Sequence, residues 1–368
     1  MNRYYLKKIG SSLLVLFVII SLNFFLPRMI FADPAQPYFV GVPEDAVALR
    51  AQIREAYGFN DPLWMQYMAY LKRVATLDLG QSHYYKESVW TVMFSRIPWS
   101  IVLTVSAMLI SVGLGILWGA AAGKRRDHRA DKLLLGLSGI TTAIPSFWLA
   151  MVAVMLLGFG LKLFPYRGAM TAGYALTMNY SLFGLVFACG VLLSVVLGLI
   201  RKKSLWIFLG IPVSLGSALL ASIPLADMID IAYHAALPVM ISVFSGVITY
   251  GLLVRNSMIA VTNEDYILTA RAKGLPAHVV LYRHTFRNAL LPLITNVGMS
   301  MAGLLGGSVL MEKIFSWPGM GQLLLEACNN GDYQLSQAIL LLFAVITVAC
   351  NFLTDLVYHK CDPRVKEV

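Results

Sequence analysis

Long apolar runs with almost no charge are the feature that most limits what this chain can fold into. Because about twenty apolar residues in a helix cross the hydrocarbon core of a bilayer, each run predicts a membrane-spanning helix. Composition agrees, since 58% of the residues are hydrophobic and 13% are charged, against about a quarter charged in soluble domains. The sequence predicts an all-α polytopic membrane protein with about eight spans, at residues 9–27, 100–123, 133–160, 181–200, 204–226, 234–254, 289–311 and 335–355.

Lysine and arginine are concentrated between alternate spans, and this pattern orients the predicted helices. Most of the basic residues lie in the short loops of one side, at 3–8, 124–132, 201–203, 255–287 and 360–366. Because cytoplasmic loops carry an excess of lysine and arginine, we expect both termini in the cytoplasm. Segment 33–99 is then extracytoplasmic, and its apolar residues have helical spacing. The net charge of +10 follows from this topology, so we expect no nucleic-acid partner.

Several chemistries are missing from the sequence. The apolar centres of the spans hold no lysine, arginine, aspartate or glutamate, whereas an ion-coupled transporter usually keeps such a residue in its pathway. The chain has no GxxxxGK[ST] phosphate-binding loop. Its four cysteines are scattered and form no metal-binding or disulfide pattern. We therefore expect a chain that is not an enzyme, binds no cofactor or metal, and receives energy from a partner.

One charged stretch, NEDYILTARAKGLPAHVVLYRHTFRNALLPLI (263–294), separates two apolar runs on the side expected to be cytoplasmic. Acidic residues after Asn263 and basic residues before Gly274 predict one short helix, with Asn263 as N-cap and Gly274 just past the end. Small residues at Ala270, Ala272 and Gly274 would permit close approach by another protein surface. The alternative is an amphipathic helix that lies on lipid headgroups.

This stretch resembles the cytoplasmic EAA loop of permease subunits of ATP-binding-cassette importers, through Glu264, Ala270, Gly274, Leu291 and Pro292. The form EDYILTARAKG looks like the dipeptide, oligopeptide and nickel branch of that family. Other family-like stretches follow in the same order as in the family: YGFNDPLWMQY (57–67), DLGQS (78–82), AIPSFWLA (143–150), FSWPGMGQLL (315–324) and DPR (362–364).

The resemblance implies the transmembrane domain of a type I importer in the inner cell membrane. The expected partners are a second homologous permease, two cytoplasmic ATPase subunits that hold ATP and magnesium, an extracytoplasmic solute-binding protein and the lipid bilayer. The expected cargo is a dipeptide or oligopeptide, with nickel or another small solute as the alternative. The expected ATPase-coupling residues are Glu264, Asp265, Tyr266, Thr269, Ala270, Arg271, Ala272, Lys273, Gly274 and Leu275, and Asn288, Leu291 and Pro292 join the loop to the next span.

The chain departs from its family in the number of spans, because the branch typically has six. We interpret segment 180–226 as an inserted transmembrane hairpin; a re-entrant or surface amphipathic segment is the alternative. The expected organisation is an N-terminal helix (1–32), an extracytoplasmic helical segment (33–99), a permease domain (100–358) that contains the hairpin and a coupling loop (259–288), and a cytoplasmic tail (359–368). Other functional classes that remain open are an ion-coupled transporter or channel and a membrane scaffold.

Overall fold

A computed structural model describes residues 2–30, 39, 47–56, 58–171, 185–194, 210, 214, 218, 224–303, 306 and 309–361. Every regular element in these ranges is helical. The helices are α1 (Asn2–Ile30), α2 (Val47–Ala56), α3 (Leu63–Ala75), α4 (Val89–Lys124), α5 (Arg129–Ala143), α6 (Ser146–Gly160), α7 (Leu185–Ser194), α8 (Leu225–Thr262), α9 (Asp265–Ala272), α10 (residues 277–289), α11 (Leu291–Ala302), α12 (Val309–Ile314), α13 (Met320–Asn329) and α14 (Tyr333–Cys361).

Membrane-length helices confirm the all-α polytopic class. Four apolar stretches are long enough to cross a bilayer: Lys8–Phe25 within α1, all of α4, all of α8, and Tyr333–Asp355 within α14. Helices α5 and α6 supply a fifth span if the break between them is counted as a bend. The described residues thus account for four of the eight predicted spans, or five if α5 and α6 form one span.

The seventh predicted span, 289–311, differs from the expectation of one continuous helix. Helix α11 has 12 residues and ends at Ala302, and Gly303 and Gly306 are turn residues. Glycine is a poor helix former because its backbone loses the most conformational entropy. Hydropathy detects the apolar run but not this interruption of the helix.

The predicted hairpin 180–226 lies mostly outside the described residues. Its described parts are α7, three single positions and the first residues of α8. The interpretation of this segment therefore stays a prediction.

Two helices are longer than hydropathy predicts. Helix α4 begins at Val89 rather than residue 100 and continues through Pro98. Helix α8 begins at Leu225 rather than residue 234 and continues through Pro238. Hydropathy locates only the apolar part of a helix, whereas backbone hydrogen bonding continues the helix into less apolar residues. The helical spacing expected in segment 33–99 is confirmed by α2 and α3.

The helices fall into two compact units, residues 1–147 with 242–368, and residues 148–241. Within the first unit, α4 and α8 pack closely through glycines spaced four residues apart on α4. A Cβ atom on Gly115 would lie 2.7 Å from Tyr250 Cβ, and one on Gly123 would lie 3.0 Å from Met258 Cβ. Small residues at this spacing let membrane helices approach closely. This contact fixes the end of α4 beside the end of α8.

Helices α1 and α14 run antiparallel in the same unit. The side-chain amide of Asn23 donates to Gln337 O at 2.8 Å, and Lys8 forms an ion pair with Asp355 at the opposite end of both helices. In the second unit, the loop after α6 is tied to α8, since Thr171 Oγ1 donates to Asp230 Oδ1 at 2.6 Å.

Candidate functional site

The charged loop forms the short helix that the sequence predicts. Helix α9 covers Asp265–Ala272, with Glu264 as N-cap and Lys273 as C-cap. The N-cap therefore lies one residue after Asn263, the N-cap that the sequence predicts. The backbone N–H of Asn263 still donates to Ala260 O at 3.2 Å, so Asn263 belongs to the turn that leaves α8.

Gly274 closes α9 in the conformation that the sequence predicts. Its φ is +73°, a left-handed value that glycine adopts at little cost. The Gly274 N–H donates to Arg271 O at 2.9 Å, and the Leu275 N–H donates to Ala270 O at 3.4 Å. These two bonds form a Schellman motif and satisfy carbonyls at the end of the helix. No atom of the described chain lies within 4 Å of a Cβ built on Gly274.

Helix α9 packs against α10 through a small apolar cluster. Ile267, Ala270 and Val280 are buried there, with Val261 and Tyr266 packed around them. Ala270 is 5% exposed, so its methyl group faces α10. This differs from the expectation that Ala270 lies on the docking face, because a small residue alone does not show which face of a helix it occupies.

Tyr266 and Asn288, two of the expected site residues, join the start of the loop to its end. The amide of Asn288 donates to Tyr266 Oη at 3.0 Å and to His284 O at 3.1 Å. Leu291 and Pro292 begin α11 directly afterwards. Proline suits this position because the first turn of a helix leaves its N–H groups without partners.

The remaining expected coupling residues lie on the surface of the loop. They are Glu264, Asp265, Thr269, Arg271, Ala272, Lys273, Gly274 and Leu275. Two large apolar side chains that were not among the expected site residues are also exposed, Leu268 at 54% and Tyr282 at 63%. Exposed apolar residues rimmed by polar ones mark surfaces that bind other proteins. We call the exposed side chains of Leu268, Leu275, Tyr282, Arg271 and Lys273 the loop face.

A cleft of about 390 Å³ separates this loop from the end of α4. Its lining includes three apolar residues, Leu275, Val280 and Leu281, and two cations, Lys124 and Arg271.

A buried ion pair beside the loop joins α5 to α8. Arg255 Nε lies 2.6 Å from Asp131 Oδ1, and Arg255 Nη2 lies 3.1 Å from Asp131 Oδ2. The Asp127 N–H donates to the same carboxylate at 2.9 Å. The two partners are 124 residues apart, so no local pattern in the sequence indicates this pair.

Two carboxylates at the other end of the unit hold the segment that contains the DLGQS stretch. Ser82 Oγ donates to Asp332. Tyr85 Oη donates to Glu326 Oε2 at 2.7 Å. Burial, followed by the hydrogen bond to Glu326, raises the pKa of Tyr85 to about 12. The phenol therefore stays a hydrogen-bond donor at physiological pH.

A third carboxylate joins α4 to the FSWPGMGQLL stretch. Glu312 is fully buried. It accepts from Ser100 Oγ at 2.7 Å, from the Gly321 N–H at 2.8 Å and from the Gln322 N–H at 3.0 Å. An anion is favoured there because the N-terminus of α13 presents unpaired N–H groups. Leu79 of the DLGQS stretch packs against the same α13, in the cluster that contains Met320 and Leu323 of the FSWPGMGQLL stretch, so these two family-like stretches are in contact.

Two family descriptions of known proteins match this chain, one over most of its length and one over its N-terminal part. Residues 112–367 match the family described as binding-protein-dependent transport system inner membrane component. The chain belongs to this family. Residues 1–104 match the N-terminal part described for membrane components of the same systems.

Individual permeases of this family are similar over their full length. The oligopeptide permease AppB of Bacillus subtilis is 28% identical, over 100% of both chains. The dipeptide permease DppB of Escherichia coli strain K12 is 30% identical, over 100% of this chain and 99% of its own. The dipeptide permease DppB of Lactococcus lactis is 29% identical, over 100% of both chains.

Membership of the permease family confirms the resemblance noted in the sequence. The fold is the transmembrane domain of a type I ATP-binding-cassette importer. A membrane component of such a system works with ATPase and solute-binding partners. The permease is therefore a multi-pass membrane protein in a transport complex.

Proposed function

We propose that this permease forms half of the pathway by which an ATP-driven importer moves dipeptides or oligopeptides across the inner cell membrane. Full-length similarity to permeases named for dipeptides and oligopeptides carries this proposal. The complex would contain a second homologous permease, two ATPase subunits that bind ATP and magnesium, and an extracytoplasmic solute-binding protein. This chain itself would be non-catalytic.

The basic segments orient the permease in the proposed complex. The loop of α9 and α10, the turn between α4 and α5, and the C-terminal end of α14 would face the cytoplasm, because their lysines and arginines follow the positive-inside pattern. Both termini would then be cytoplasmic. The ATPases would approach from this side.

The loop face is the proposed contact with an ATPase subunit. It combines exposed apolar side chains at Leu268, Leu275 and Tyr282 with the cations Arg271 and Lys273. Interfaces favour an apolar centre with a charged rim. Ala270 would support this face from behind rather than contact the partner.

Internal bonds make the loop suited to transmit motion. The Schellman motif fixes the end of α9, the cluster of Ile267, Ala270 and Val280 holds α9 on α10, and the bond from Asn288 to Tyr266 closes the loop. Ala289 is buried against α8 in the cluster that includes Met258. A displacement of the loop face would therefore move α8 and α11 together, because packed elements shift as units.

Reconstituted transport tests the proposed function. Proteoliposomes with both permeases, both ATPases and the binding protein should take up a radiolabelled dipeptide when ATP is supplied to the ATPases. An ionophore that collapses ion gradients should leave uptake unchanged. A matched complex whose ATPases carry an inactivated phosphate-binding lysine should take up nothing. Uptake driven by an ion gradient without the ATPases would contradict the proposal.

Cargo is tested separately on the cognate binding protein. Calorimetric titration with dipeptides, longer peptides and Ni²⁺ should give binding to a peptide. Binding of Ni²⁺ alone would assign the same machinery to nickel import.

A further inference from the structure

The turn between α4 and α5 forms a basic cleft of about 690 Å³. Four of its lining residues are cations, Lys124, Arg125, Arg129 and Lys132. His128 also lines it, and Asp127 is the single carboxylate. The cleft therefore carries a net positive charge.

Within the described residues, the four cations of the cleft share one lining carboxylate, that of Asp127. The nearby carboxylate of Asp131 is buried and does not line the cleft, and its charge is paired with Arg255 at 2.6 and 3.1 Å. Among the ion pairs of the described residues, none involves any of the four cleft cations. The four side chains are exposed, so they remain available to an external anion.

The cleft is held at the ends of two helices that enter the membrane. The indole N–H of Trp118 donates to Ala130 O at 3.1 Å, across the turn. The Lys132 N–H donates to His128 O at 3.0 Å. Tryptophan favours the membrane–water interface, and both α4 and the α5–α6 pair have the length and composition of spans. The cations should therefore lie at the depth of the lipid headgroups.

We propose that this cleft binds the phosphate of an anionic phospholipid headgroup. Arginine matches phosphate with two parallel hydrogen bonds, and lysine adds a point charge. Clusters of four or more basic residues next to a membrane helix attract anionic lipid. The proposed function determines only which leaflet supplies the lipid, and this would be the cytoplasmic leaflet.

Lipid binding would restrict the motion of the coupling loop. Lys124 lines both this cleft and the cleft that contains Arg271. A headgroup bound at Lys124 would fix the end of α4 beside the loop. Bound anionic lipid should therefore raise the thermal unfolding temperature of the complex, whereas a zwitterionic lipid should not.

Lipid titration of the purified transport complex tests the site. Native mass spectrometry in mixed micelles should show tighter binding of phosphatidylglycerol than of phosphatidylcholine. The triple variant Arg125→Gln, Arg129→Gln and Lys132→Gln should weaken phosphatidylglycerol binding about a hundredfold, since each basic residue at a membrane surface contributes about a factor of five. The matched control Lys72→Gln, Arg73→Gln and Lys86→Gln removes the same charge from exposed side chains in the segment expected outside the cell and should change binding less than about threefold.

Five outcomes would overturn the proposal. Equal losses in both triple variants would indicate general surface charge, and equal binding of the two lipids would remove the headgroup preference. Displacement of the lipid by an equal concentration of inorganic phosphate would indicate a free-anion site. Dissociation of the ATPases from the first triple variant with unchanged lipid affinity would assign the cleft to an acidic protein surface. If the triple variant does not assemble, Lys132→Gln alone should weaken binding about fivefold, and unchanged binding would also refute the site. None of these readouts requires peptide transport.

Discussion

Substitution of Gly274 separates the internal geometry of the coupling loop from its contact with a partner. The residue has a φ of +73°, and a Cβ added to it meets no atom of the described chain within 4 Å. A Cβ atom at 274 therefore costs conformational energy within the permease but clashes with none of the described residues. We attribute any larger loss of coupling to contact with a partner.

The conformational cost can be ranked from the backbone geometry. Alanine at a left-handed position costs about 1 kcal/mol, whereas asparagine and aspartate tolerate this region better. Aspartate also places a negative charge at a helix C-terminus, which adds about 0.3–1 kcal/mol. Each total is small beside the roughly 5–15 kcal/mol that stabilises a folded domain. Gly274→Ala, Gly274→Asn and Gly274→Asp should all insert and pair with the second permease.

Two assays in proteoliposomes, transport and binding-protein-stimulated ATP hydrolysis, distinguish backbone strain at position 274 from contact with an ATPase. If Gly274 faces an ATPase surface, loss of coupling should rise with bulk and charge, from alanine through asparagine to aspartate, and Gly274→Asp should lose transport. Backbone strain alone would make alanine the worst of the three. Coupling at the wild-type level in Gly274→Asp would show that this loop is not the docking element.

Three further predictions concern other parts of the chain. Asp131→Asn leaves the partly exposed guanidinium of Arg255 without its charged partner and should lower the free energy of unfolding by about 1–3 kcal/mol; in a denaturant titration the double variant with Arg255→Met should recover part of that loss, and no recovery would refute a direct pairing. Glu312→Gln removes the charge that receives three hydrogen bonds and should cost about 1–3 kcal/mol, seen as a lower thermal unfolding temperature, whereas an unchanged temperature would mean that Glu312 is not needed to hold α13. An impermeant thiol reagent applied to intact spheroplasts should label neither Cys361 nor Lys202→Cys, and labelling at position 202 would contradict the eight-span topology.

Local patterns predicted the parts of this permease that depend on neighbouring residues. Apolar length located α1, α4 and α14, and capping chemistry located α9 to within about one residue of its ends. Gly274 was predictable because a glycine after a basic last turn indicates a left-handed C-cap.

Contacts between distant residues carried no comparable signal. The pair of Arg255 with Asp131 joins helices 124 residues apart, and each residue alone reads as an ordinary loop charge. The inward orientation of Ala270 depends on Val280 of the following helix. The early end of α11 depends on backbone propensity at Gly303, which hydropathy does not measure.

Photo-cross-linking from the loop face tests the central claim most directly. Benzoylphenylalanine at Tyr282, which is 63% exposed, has a matched control at Trp64, which is 65% exposed in the segment expected outside the cell. Illumination of the assembled complex should join position 282 to an ATPase subunit, whereas position 64 should never cross-link an ATPase. If position 282 cross-links only lipid or nothing, the loop lies on the membrane surface and the proposed coupling contact is wrong.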